Sequence, residues 1–125
     1  MAIDLSKAFD SVCHPLLLAK LKAYGFTYDA PELMTTYLVG QRQRVKLDGV
    51  HSTWRTVRTG VPQGFLLGPL LFNMYVNDVN YFIANTSLRL YAFDVSPMIL
   101  QFVITSDQSV LWRWFRMNFL QINAA

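Results

Sequence analysis

The sequence predicts an α+β layer fold in which helices stack on one face of a mostly antiparallel sheet. Three observations point there. Apolar residues recur at helical spacing in His14–Tyr24, HPLLLAKLKAY. Short alternating runs flank an Asp48-Gly49 pair, a strong hairpin signal. Helix-like and strand-like stretches also interleave along a chain with no internal repeat or low-complexity tract.

Met1-Ala2-Ile3 is an apolar, strand-like run ending at Asp4. A domain seldom begins at such a strand, so a truncated amino end is expected. The His14–Tyr24 helix has Pro15 early and Gly25 as its stop. Pro31–Val39 reads as a second short helix ended by Gly40. Arg44-Val45-Lys46-Leu47 and Thr53-Trp54-Arg55-Thr56-Val57 form the two arms of a hairpin. Gly60-Val61-Pro62-Gln63-Gly64 is a rigid turn, with one dihedral fixed by proline and close backbone approach allowed by glycine. A long helix runs from Gly68 or Pro69 to about Ala84, with proline suited to its first turn. Leu88-Arg89-Leu90 and Val95 to Leu100 flank a tight hairpin with Asp94 at its tip. Ser106–Asn118 reads as a helix capped by Ser106, with Leu111, Trp114 and Phe115 on one face. Leu120-Gln121-Ile122 alternates like a final strand.

At 125 residues and 53% hydrophobic content, the chain is one domain or a piece of one, with enough apolar mass for a core. The apolar excess points to surface meant for a neighbour and to self-association. Cys13 is the one cysteine, which rules out an internal disulfide and a cysteine-based zinc site and fits a reducing compartment. No leader with a cleavage site is visible, and the apolar stretches are too short to span a bilayer. An intracellular protein, nuclear or cytoplasmic and away from the membrane, is expected. The net charge of +3 decides little. Its distribution says more: Arg42, Arg44, Lys46, Arg55 and Arg58 share one short segment with a single acid, Asp48. A phosphate-binding patch and a solvated hairpin face both fit.

Several residues invite functional readings that their surroundings do not support. His14 and His51 lack metal-type spacing, and Cys13 has no histidine base arrangement. Trp54 fits packing better than base stacking. Trp112, Trp114 and Phe115 fit a core-facing helix. Asp78 reads as a surface or capping acid, and Asp29, Asp48 and Asp107 as turn or cap residues.

Taken together, Asp4-Leu5-Ser6-Lys7-Ala8-Phe9-Asp10, Gly60-Val61-Pro62-Gln63-Gly64 with Leu67-Gly68-Pro69, and Tyr91-Ala92-Phe93-Asp94 resemble the reverse transcriptases of non-LTR (LINE-like) retrotransposons. Gln41-Arg42-Gln43-Arg44-Val45 and Asn118-Phe119-Leu120-Gln121-Ile122-Asn123 are similar to that class as well. One motif would be weak; several in order, over nearly the whole chain, are specific. The resemblance implies an RNA-directed DNA polymerase of right-hand shape. Residues 1–125 would form its palm, in part, with fingers and thumb outside the chain. It also implies an RNA template, a DNA primer and deoxynucleotide triphosphates as partners.

Such polymerases use two Mg²⁺ ions about 3.5–4 Å apart, held by carboxylate oxygens. The resemblance makes Asp4 and Asp94 the catalytic ligands, with the Leu5 backbone carbonyl assisting. In isolation Asp4 is an ordinary strand-end acid; the accompanying motifs reverse that reading. Phe9 would sit beneath the sugar and exclude a 2′-hydroxyl, its other reading being a core aromatic. Gln63 would approach template or nucleotide, and Phe65 stands where the family commonly has serine. Asp10 would order the turn after the first strand. The family's hairpin tip is Tyr-Ala-Asp-Asp, and here Phe93 replaces the first aspartate. A phenyl ring supplies no oxygen to a hard cation, so a catalytically degenerate polymerase is expected. A non-catalytic nucleic-acid-binding module and a functionless relic of a mobile element are the alternatives.

Overall fold

The computed structural model describes residues 5–62, 66–82 and 108–122. They form an α+β arrangement built on three ten-residue helices, α1 (His14–Ala23), α3 (Leu67–Val76) and α5 (Gln108–Met117). Each turns one stripe inward. The stripe of α3 is Gly68, Leu71, Phe72, Tyr75 and Val76, the spacing of an amphipathic helix. That of α5 is Leu111, Trp114 and Phe115, followed by Asn118 just past the helix end. Leu17 and Leu21 of α1 meet them, and Val12, Leu38, Val61 and Val79 complete the core.

Local signals set the helix ends. Pro15 occupies the first turn of α1, where a missing N–H costs nothing. Beyond its end, the N–H of Phe26 donates to the Leu21 carbonyl and that of Gly25 to Lys22, a Schellman closure. Helix α2 (Asp29–Leu38) carries Asp29 and Glu32 in its first turn, which complements the helix dipole. The expected long helix after Pro62 is instead two: α3, then α4 (Val79–Phe82). At the joint, the Tyr75 carbonyl that an uninterrupted helix would offer to residue 79 accepts a hydrogen bond from Lys20 Nζ at 2.6 Å.

Strand β1 (Leu5–Ser6) pairs antiparallel with β6 (Gln121–Ile122), Leu5 opposite Ile122. Between them in sequence lies the basic hairpin, in two ladders. β2 (Arg42–Gln43) pairs with β5 (Arg55–Thr56), and β3 (Lys46–Leu47) with β4 (Val50–His51). Asp48 (φ 48°) and Gly49 (φ 81°) make the two-residue turn in the left-handed conformation that such hairpins favour. Residues 44–45 face residues 52–54, so the return arm carries one extra residue as a bulge. The described strands therefore form three separate two-stranded ladders. The second expected hairpin, Leu88 to Leu100, lies outside the described residues, as does the capping residue Ser106. Among the described residues no helix is long and apolar enough to cross a membrane.

One buried polar node ties the helices together. The Lys20 ammonium donates to the Tyr75 carbonyl, to Asp78 Oδ1 at 2.8 Å and to Asn118 Oδ1, which uses all three of its protons. It also lies 4.7 Å from the Tyr75 ring centre and 5.2 Å from that of Trp114. Tyr75 in turn donates its hydroxyl to the Asn118 carbonyl at 2.7 Å. Asp78 is thus a partner of a buried cation and not a simple surface or capping acid.

Burial pushes the Tyr75 phenol up to about 12. The folded chain therefore keeps that proton where an unfolded tyrosine, near 10, loses it. The stability this supplies is present below pH 10 and is lost as pH rises from 10 through 12, by roughly 2–3 kcal/mol. Lys20 is lowered by burial, which Asp78 only partly opposes, so it acts in the reverse sense up to its ordinary 10.5. The urea midpoint is expected to fall between pH 10.5 and 12, and to fall less for Tyr75→Phe. Parallel pH profiles for the two proteins would exclude Tyr75 as the source.

Candidate functional site

The frame of the site is the stretch after Asp4. Leu5 is buried in β1, and the chain then enters a 3₁₀ turn, Phe9–Ser11. Lys7 takes a positive φ of 47° to enter it, and the N–H and Oγ of Ser11 both donate to the Lys7 carbonyl at 3.0 Å. Asp10 lies within this turn. The Phe9 ring packs 5.1 Å from that of Phe72 on α3, tilted by 53°.

The glycine turn is stitched onto this segment. The Gly60 N–H donates to Val12 at 2.8 Å and the Val61 N–H to Phe9 at 2.9 Å, while Cys13 and Thr59 form an isolated antiparallel bridge. His14, buried, has Nε2 2.6 Å from the Gly60 carbonyl, the distance of a donated ring N–H. Gly60 holds φ +94° with its Cα directly over the backbone of residues 9 and 10. A Cβ there would come within 2.9 Å of the Asp10 Cα and 3.1 Å of its carbonyl oxygen. On the other side, a Cβ on Gly68 would overlap the Pro62 carbonyl, so the start of α3 packs directly on the turn. Two motifs fifty residues apart in sequence are thus one backbone unit.

The expected metal and nucleotide residues Asp4, Gln63 and Asp94 lie outside the described residues, as do Phe93 and Phe65. Leu5 lies in β1 and Phe9 in the 3₁₀ turn against Phe72. Among the described residues no cluster of His, Cys, Asp and Glu could hold a metal ion.

The five cations are all exposed on or beside the hairpin, and among the described residues none pairs with a carboxylate. Arg42 is opposite Thr56, and Arg55 is opposite Gln43. Alternation therefore puts Arg42 and Arg55 on opposite faces of the ladder. Lys46 is opposite His51, and Arg58 lies past the ladder. Arg44 and Arg42 gather at Trp54, their guanidinium carbons 4.5 Å and 5.6 Å from its ring centre. Trp54 is not the packing residue its apolar neighbours suggest: it is 50% exposed. Trp112 is likewise at the surface, unlike Trp114 and Phe115, because it falls outside the inward stripe of α5.

The model of the reverse transcriptase (RNA-dependent DNA polymerase) family matches residues 1–104. The chain belongs to that family. It is 42% identical over 79 residues to a probable RNA-directed DNA polymerase from transposon X-element of Drosophila melanogaster. It is 38% identical over 79 residues to the corresponding protein of transposon BS from the same species. A retrovirus-related Pol polyprotein from the type-1 retrotransposable element R2 of Popillia japonica is 28% identical over 79 residues. These matches cover 62–63% of this chain. The chain spans only 8% of the length of the two Drosophila relatives and 13% of the R2 protein. The elements named are non-LTR retrotransposons, as the motif string implies.

Sequence reasoning missed Lys20, Asn118 and His14. A lysine three residues after Leu17 and one before Leu21 shares their helical face, and that was the available signal. Gly60→Ala is expected to destabilise this reverse transcriptase segment by about 2–4 kcal/mol, left-handed strain and backbone overlap acting together. Gly40→Ala has a similar φ of +81° but open space around it, and should cost only about 1 kcal/mol. Equal losses in denaturant unfolding would show that the Asp10 backbone gives way.

Proposed function

We propose that this chain is the palm portion of a non-LTR retrotransposon reverse transcriptase that grips template and primer but has lost nucleotide addition. The hairpin supports the first half: five exposed cations without carboxylate partners among the described residues suit a phosphate backbone and read no sequence. The second half rests on Phe93. By resemblance Asp4, Asp94 and the Leu5 carbonyl would hold Mg²⁺, with Phe93 in the place of a central carboxylate. Two carboxylates and a phenyl ring do not fit a pair of hard cations that need oxygen donors. Phe9 in its turn and Gln63 beyond Pro62 would still flank the nucleotide position. Phe9 touches Phe72, which supports a core role beside a gate role.

The deciding experiment combines two assays on the 125-residue chain. No Mg²⁺-dependent extension of a DNA primer on an RNA template is expected. Phe93→Asp alone should not restore it, because the chain spans so little of its relatives. Binding to the primer–template should weaken steeply with salt, and neutralising Arg42, Arg44 and Lys46 should flatten the log–log slope by roughly 2–3 units. Extension by the unaltered chain would refute the loss of catalysis. Salt-independent or absent binding would refute the grip.

Self-association is part of the same proposal. Leu66 (95% exposed) and Tyr28 (94%), with Tyr81, Leu47 and Val50, supply apolar surface suited to it. Sedimentation velocity should show concentration-dependent association; one monomeric species across a hundredfold range would exclude it.

A further inference from the structure

We infer that Trp54 is a base-stacking platform that makes the hairpin prefer single-stranded over duplex nucleic acid. The inference rests on the binding role proposed above and deepens it by naming the class of strand. A buried tryptophan on a hairpin would be packing. This one is half exposed, on a hairpin whose residues 42–56 are all exposed, so no core claims it. Its ring has two guanidinium groups drawn to it, from Arg44 at 4.5 Å and Arg42 at 5.6 Å. The ring's negative face accounts for the attraction of each. It does not remove the repulsion between two like charges held at one ring, neither paired with a carboxylate among the described residues. A polyanion relieves that repulsion: the guanidinium groups can move to phosphate oxygens as a base takes up ring surface. Guanidinium planes are themselves surfaces on which bases stack.

Strand type depends on which surfaces a nucleic acid offers. A duplex hides its base faces between neighbours and offers mainly phosphates to a short exposed hairpin. A single strand offers base faces and phosphates together, at the spacing of adjacent nucleotides. Stacking is tolerant of sequence because every base has a π-face. The bulge opposite Arg44 and Val45 lies at residues 52–54, so Trp54 is on the irregular part of the return arm. There the alternation of the ladder does not fix its direction.

The test compares fluorescence anisotropy of a labelled 12-nucleotide single strand with that of a 12-base-pair duplex, each titrated with the full chain at low salt. Trp54→Ala is expected to weaken single-strand binding about tenfold and duplex binding less than twofold. Trp54→Phe should retain most of the single-strand affinity. Trp54→Leu, which keeps bulk without a π-face, should behave like alanine and decides the matter if the alanine variant misfolds. Arg44→Gln should weaken both forms. Equal weakening of single strand and duplex by Trp54→Leu, or no change in either, overturns the platform while leaving the phosphate grip standing. No binding of either form by the unaltered chain overturns both.

Discussion

The ammonium of Lys20 is the point on which the fold turns. It is buried between helices, and its three protons go to three acceptors on two other parts of the chain: Tyr75 and Asp78 at the α3–α4 joint, and Asn118 after α5. Burying a charge costs several kcal/mol unless it is paired and hydrogen-bonded. Here the pairing does not fully offset the burial, since Lys20 is held below its ordinary range with desolvation as the largest cause. A buried ion pair of this kind is a weak source of net stability and is better suited to selecting one arrangement. Only one placement of α1 against α3 and α5 satisfies all three acceptors. A different placement would leave the Lys20 ammonium short of acceptors away from water, which is costly.

That selection reaches the site through Asn118. Its backbone and side chain are held by Lys20, Tyr75 and Trp114, and the chain then turns sharply at Phe119, φ 57°. The Leu120 N–H donates to the Phe115 carbonyl and that of Phe119 to Arg116, the same closure that glycine makes after α1. A phenylalanine in this conformation is strained by about 1–2 kcal/mol. Buried Leu120 and the pairing of β6 with β1 hold that strain in place. A chain of contacts thus runs from Lys20 to the residue after Asp4, by way of Asn118, a left-handed phenylalanine and a two-residue ladder.

Much of this was legible in the sequence. Asp48-Gly49 gave away its hairpin, because a two-residue turn with positive φ at both positions has few chemical solutions. Pro15 with Gly25 bounded α1, and the stripe of Leu111, Trp114 and Phe115 defined the inner face of α5. The split of α3 from α4 was hidden, because it depends on a lysine fifty-five residues upstream reaching a carbonyl that local propensity assigns to the helix. Asp78 was misread for the same reason. The left-handed Phe119 runs against its own preference, and only tertiary contacts explain it. At the site, the motif order announced the family, while the contact of Gly60 with the Asp10 backbone needed coordinates. Trp54 was misjudged because aromatic residues in alternating runs are usually buried, whereas residues 42–56 of this hairpin are all exposed.

The division between frame and chemistry has a physical consequence. Among the described residues, Lys20, Asp78, Asn118, Tyr75, His14 and Gly60 hold the frame through bonds to one another and to Val12, Cys13 and Trp114. The hairpin is more independent still, since its two ladders, its turn and its bulge are closed within residues 42–56. Loss of a metal ligand therefore need not carry loss of fold, and loss of catalysis need not carry loss of phosphate affinity. The proposed grip on nucleic acid and the proposed loss of chemistry depend on different residues, so the one can persist without the other.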